Sequence, residues 1–150
     1  MDVIEEFYNM ALEFCRYIET TTITYDNVEE LMPILMNLYV KALKLPHNEP
    51  ETEEEGSNKE VEDIYIDIKV PDFYNELFDP FADEEIVGCS LTDDLGDIRK
   101  DLMEGINEYE AGYKNNASFD WRFGLDNHWG KHTTDALRAL HCLRTKYAKC

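Results

Sequence analysis

An all-α fold, built as an antiparallel bundle of about four main helices, is what this sequence predicts. Three observations carry it. Apolar residues recur at three- and four-residue steps in four stretches, capping residues or breakers stand between those stretches, and the single alternating run, residues 61–70, has no second strand to pair with. At 150 residues, with 43% hydrophobic content, the chain fits one domain spanning residues 1–150, able to build a core despite a net charge of −19.

In the first stretch Val3, Ile4, Phe7, Tyr8, Ala11, Leu12, Cys15 and Ile18 lie on one helical face, with Glu5, Glu6, Asn9, Glu13 and Arg16 between them. A Thr-rich segment follows. Asp26 and Glu29 then have the spacing of a capping box ahead of Val28, Leu31, Leu35, Leu38, Tyr39 and Ala42, which predicts a second helix reaching about Leu45. Pro33 falls inside it and predicts a lost backbone bond, with a kink or a shifted start. From His47 to Lys59 the acid-rich run reads as a long irregular connection. Ile64, Ile66, Ile68 and Val70 alternate as a strand would; without a visible partner the segment is read as a short helix. Pro71, Pro80 and Gly88 punctuate an irregular connection. Ser90 or Thr92 caps a third helix carrying Leu91, Leu95, Ile98, Leu102, Ile106 and Tyr109 and ending near Gly112, with Asp93 and Asp94 at the positive end of its dipole. After a break at KNNAS, Trp121, Leu125, Trp129, Ala136, Ala139, Leu140 and Leu143 trace a fourth helix, bent at Gly124 or Gly130.

Charge is unevenly spread. Residues 1–113 carry 7 Lys/Arg against 30 Asp/Glu, and residues 114–150 carry 7 against 3. Most of the surface would repel a polyanion, so neither nucleic acid nor an anionic membrane is expected as a partner. A protein partner or a second copy of the chain remains open, and the small-molecule ligand is unknown. An acidic start and the lack of a long apolar run predict a cytoplasmic location. Cys15, Cys89, Cys142 and Cys150 form no CxxC pair, so reduced thiols are expected.

Chemistry concentrates on the third and fourth helices. His128 and His132 are four apart and share the apolar arc of their helix, while Asp94 and Asp101, a heptad apart, flank the stripe of Leu95, Ile98 and Leu102, with Asp97 slightly further round. Packing the acidic third helix on the basic fourth brings Asp94, Asp97, Asp101, His128 and His132 into one cluster. It has two explanations: a divalent-metal site of nitrogen and oxygen ligands, or a buried hydrogen-bond and ion-pair network without a ligand. No catalytic residue is assigned. Trp121, Arg122 and Trp129 are candidates to line a pocket beside the cluster, and Trp121, Trp129, Phe119 and Phe123 could stack a ligand, although aromatics at helical spacing are far more often core. Cys89, flanked by Gly88 and Ser90, has no histidine in its own segment to activate it and reads as structural. HExxH, the di-iron ExxH, GxGxxG, P-loop and GxSxG motifs are all missing.

Two resemblances attach to these residues. Asp93-Asp94-Leu95-Gly96-Asp97 is similar to the ELGD-type helix of all-α nucleotide pyrophosphohydrolases, which implies magnesium held against a pyrophosphate; Glu51 and Glu54 have the spacing of the ExxE pair that those enzymes add. Over a longer span, Phe78-Asp79-Pro80, SLTDDLGDIRKDL from Ser90 to Leu102 and WRFGLDNHWGKHTTDALRALH from Trp121 to His141 resemble the bacterial family called domain of unknown function 5063. That resemblance implies an all-α fold and a shared site at Asp93, Asp94, Asp97, Asp101, His128, Trp129, Gly130 and His132. No activity comes with it. Two functions are therefore carried forward: a binding or interaction module whose cluster fixes the bundle, and a metal-dependent hydrolase acting on a nucleotide or other phosphate-containing small molecule.

Overall fold

The computed structural model describes residues 1–47, 49–50 and 56–148, with side chains as far as Thr145. It is a helical bundle: α1 (Val3–Thr20), α2 (Val28–Leu43), α3 (Leu91–Glu110), α4 (Lys114–Asn127) and α5 (Trp129–Ala148), with one hairpin of β1 (Phe73–Glu76) and β2 (Val87–Ser90).

Asp2 caps α1 by accepting from the Glu5 amide at 2.8 Å, and Phe7, Ala11, Phe14, Cys15 and Ile18 are its buried face. Ahead of α2 the cap comes earlier than the Asp26–Glu29 spacing predicts: Asn27 Oδ1 accepts from the Thr24 amide at 2.8 Å, around a short 3-10 turn at Tyr25–Asn27. Pro33 lies on the exposed side of α2, where the carbonyl left without an amide partner can be solvated.

Residues 61–70 contain no helix, which overturns the expected short helix, and they meet another segment at one β-bridge. Their partner is the Thr-rich stretch after α1: the Ile23 amide donates to the Asp67 carbonyl and the Lys69 amide to the Ile23 carbonyl, both at 2.8 Å, making one parallel bridge. Alternation therefore means what it would in a sheet, since Ile66 and Val70 are buried while Tyr65 and Lys69 are exposed. Arg99 of α3 ties this segment down by donating to the Glu62 carbonyl at 2.9 Å while pairing with Glu19 of α1. The connection after Pro71 also holds more order than its turn residues predict, because Phe73–Glu76 pairs antiparallel with Val87–Ser90, Tyr74 opposite Cys89.

Ser90 caps α3, accepting from the Asp93 amide at 3.2 Å, and Asp72 binds both Ser90 Oγ and the Thr92 amide, which joins the hairpin to the helix start. Helix α3 packs against α1, α4 and α5 through Leu95, Ile98, Leu102 and Ile106. The predicted fourth helix is two. Helicity resumes at Lys114, within the KNNAS segment expected to be a break, and the chain turns at His128, whose φ and ψ of −151° and −80° are non-helical. Neither Gly124 nor Gly130 is the turning residue; both are there because the turn is crowded. A Cβ on Gly130 would lie 2.0 Å from the Leu125 carbonyl oxygen, and one on Gly124 would lie 2.7 Å from the Trp129 ring. This turn lifts His128 out of the helical register and into the space above α3.

Candidate functional site

The N-terminal half of α3 supplies the acids. On its buried side Asp94 is held by Tyr74 of β1, which donates its hydroxyl to Asp94 Oδ2. The other Asp94 oxygen is 2.7 Å from His132 Nδ1. Two turns further along α3, Asp101 Oδ2 is 2.7 Å from His128 Nδ1. Asp97 stands between the two pairs: its Oδ2 is 3.1 Å from His132 Nε2 and 4.0 Å from His128 Nε2. The five residues Asp94, Asp97, Asp101, His128 and His132 thus form one connected cluster. Asp97, His128 and His132 each place a ligand atom within 4.8 Å of the others.

Both imidazoles use Nδ1 on a carboxylate, which leaves Nε2 facing Asp97. Carboxylate acceptors on Nδ1 fix the tautomer with its proton on that nitrogen and a lone pair on Nε2. In His132 both nitrogens meet carboxylate oxygens, an arrangement satisfied by an imidazolium or by a cation seated between Nε2 and Asp97. The hydrogen bond to Asp94 accordingly raises the His132 pKa above the ordinary histidine value, against the opposing effect of burial, with Asp97 adding further attraction. Metal-free protein should therefore be most stable on the acid side of this titration. The stabilisation is fully present below the ordinary histidine value of about 6.5 and is lost as pH rises through the raised one. Urea midpoints in chelator across that range should fall with pH in the wild type, and should fall less in His132→Gln; identical slopes would refute it.

Asp94, Asp97, His128 and His132 of the cluster form one wall of a cleft of about 360 Å³ whose other wall is the hairpin, with Glu76, Phe78, Val87, Gly88 and Cys89. Lys131 of α5 donates to Glu76 at 2.9 Å and to Asp135 at 2.7 Å, and its ammonium lies 4.5 Å from the centroid of the Phe78 ring. Burial, together with the hydrogen bond that its protonated form donates to Glu76, pushes the Asp135 carboxyl up to about 6. Cys89 is pushed up to about 11, first by burial and then by Glu76, and so stays a protonated thiol, in keeping with its structural reading.

The residues expected to line a pocket do something else. Trp121 and Trp129 are fully buried core, Trp121 Nε1 donating to the Leu102 carbonyl at 3.1 Å and Trp129 Nε1 to the Trp121 carbonyl at 2.9 Å. Arg122 reaches away to the end of α2, donating to the Leu43 and Ala42 carbonyls at 2.6 and 3.2 Å. Its charge caps a helix C-terminus. Phe119 and Phe123 stack on each other with centroids 6.0 Å apart, and Phe123 is exposed. The Glu51–Glu54 pair, the Glu53–Glu55 run and Cys150 lie outside the described residues. Conversely, sequence reasoning missed Tyr74, Glu76, Phe78 and Asp135. Two of them left a signal: Asp135 as the seventh residue after His128 and the third after His132, and Phe78 as the first residue of the Phe78-Asp79-Pro80 stretch.

No described helix is long and apolar enough to cross a membrane. No curated protein matches the chain. Among solved structures, the crystal structure of protein BF1032 from Bacteroides fragilis is similar over 96% of both chains, with a TM-score of 0.71 at 21% identity, a likeness that speaks to the fold alone. The domain of unknown function DUF5063 matches residues 1–146, taking in every helix and every residue of the Asp/His cluster, and the chain belongs to that family.

Proposed function

We propose that this chain binds one divalent transition metal through Asp97, His128 and His132. A single observation carries the reading: each histidine has Nδ1 on its own carboxylate, and both Nε2 atoms turn toward the same third carboxylate. That is how a protein orients metal-binding imidazoles, with an outer carboxylate fixing each ring. Two imidazoles and one carboxylate suit zinc, manganese, iron or nickel, and leave coordination positions free for water or a ligand from the cleft. Metal–ligand bonds of about 2.0–2.2 Å would require the His128 ring to bring its Nε2 closer to Asp97 than its present 4.0 Å. With water in an open position, the reaction class such a centre supports is hydrolysis, because the ion lowers the pKa of bound water and polarises a carbonyl or phosphoryl oxygen. Asp94 and Asp101 are positioning residues in this scheme, and Tyr74 in turn positions Asp94.

The second reading, a binding or interaction module whose cluster only fixes α3 against α5, is favoured by His132 standing between two carboxylates as an imidazolium would. Calorimetric titration of chelator-treated, untagged protein with zinc separates the two. One ion per chain is expected, with affinity rising as pH rises through the His132 titration, because the metal must displace that proton. Asp97→Ala should weaken binding while leaving both Nδ1 pairs in place. Absence of a saturable single site, or affinity unchanged in Asp97→Ala, would sink the metal reading.

A further inference from the structure

The cleft has two unlike walls, and together they say what kind of ligand it accepts. One wall is the Asp/His cluster. The other presents Phe78, 61% exposed, and Val87, 41% exposed, to the same space. An aromatic ring left that open beside a polar cluster is the usual composition of a small-molecule site, in which an apolar surface holds the body of the ligand and a few polar groups fix its head. Five carboxylates line the cleft, Glu76, Asp93, Asp94, Asp97 and Asp135, and its one amine, Lys131, is already engaged by two of them. A divalent ion on Asp97 and the histidines, added to Lys131, still leaves the carboxylates in excess. From Val70 to Ile98, the span that forms the hairpin and the acidic end of α3, the sequence holds no Lys or Arg. A phosphate carrying two negative charges would meet this field with only the metal in its favour.

Resting on the metal reading, we infer that the ligand is a neutral or cationic small molecule with a metal-coordinating head and an aromatic or apolar body packed against Phe78 and Val87, and not a nucleotide or other phosphate ester. The head occupies the open positions on the ion. The body covers the hairpin wall, and a positive group on it is attracted by Asp93 and by the carboxylate excess of the cleft. This reverses the phosphate-containing substrate that the short likeness to nucleotide pyrophosphohydrolases implied.

The test uses the zinc-loaded full chain and hydroxamic acids that share one chelating head, so that metal affinity cancels between them. Benzohydroxamic acid should bind at least tenfold more tightly than acetohydroxamic acid, and Phe78→Ala should reduce that ratio to about twofold. Phe78 is exposed, so its truncation leaves the core untouched, and zinc binding measured on the same variant checks this. 4-(Aminomethyl)benzohydroxamic acid should bind at least tenfold more tightly than 4-carboxybenzohydroxamic acid at low ionic strength, the ratio shrinking as salt screens the field. Equal or tighter binding of the carboxylate probe, an aryl preference unchanged by Phe78→Ala, or zinc-loaded protein that binds no hydroxamate would each overturn the ligand class while leaving the metal site standing. Failure to bind zinc at all would instead remove the metal reading, and this inference with it.

Discussion

Zinc at about a hundredfold excess over its dissociation constant is expected to raise the melting temperature of the chelator-treated protein by roughly 5–10 °C. The size follows from mass action: a ligand held only by the folded state adds about 2.7 kcal/mol at that excess, and each kcal/mol is worth about 2–4 °C in a domain of this length. Asp97, His128 and His132 come from α3, the α4–α5 turn and α5, so they are brought together only by folding, and the unfolded chain has no such site to compete. The double substitution His128→Ala with His132→Ala should abolish the rise. Asp101→Asn should weaken metal affinity by about 10–100-fold, the usual cost of an altered outer-shell partner, because an uncharged amide oxygen is a weaker acceptor for the Nδ1–H that orients the His128 ring. A wild type with no metal-dependent shift, or a double variant that keeps it, would leave the cluster as a protein-only network.

Trp121→Ala should be the most damaging single change, costing about 3–5 kcal/mol, the range for emptying a fully buried aromatic site. The indole is 0% exposed, its centroid is 4.8 Å from that of Phe7, and its Nε1 serves the Leu102 carbonyl inside α3. It sits so close to α3 that a Cβ on Gly105 would fall 2.0 Å from Nε1. Truncation therefore opens a cavity between α1, α3 and α4 and also removes the donor of a buried bond. Phe123→Ala, two residues along at an exposed position on the other side of α4, should change stability by no more than about 0.5 kcal/mol. Urea unfolding of the two variants checks the contrast; equal losses would mean that the aromatic residues of α4 are not divided between core and surface in this way.

Several features were legible before any coordinates because they repeat along the chain with a helical period. The apolar stripe of α3, the Ser90 cap and the side of α5 that carries His132 need only 3.6 residues per turn to be read, and the charge contrast between the two ends of the chain made the α3–α5 pairing the natural one; His128, expected on the same apolar arc, is instead exposed in the non-helical turn. Trp121 and Trp129 are core, the commoner reading of aromatics at helical spacing, whereas nothing in the spacing of Arg122 told what that side chain meets. Arg122 meets the end of α2, some 80 residues earlier in the chain.

The helical class, the side of α3 on which the acids lie and the family that those motifs mark are written in the local pattern of residues. The remaining features come from how the elements dock. Residues 61–70 hold no helix, and Ile23, on a segment with no strand pattern of its own, offers the amide and carbonyl that their one β-bridge needs. The turn at His128 exists because Gly124 and Gly130 let two helices close on each other without a side chain between them. The hairpin then brings Tyr74 to Asp94, and Glu76 and Phe78 to Lys131, across separations of 20 to 55 residues. Those contacts depend on where whole elements dock, and docking is set by the summed packing of many side chains, for which no local pattern in the sequence carries a mark.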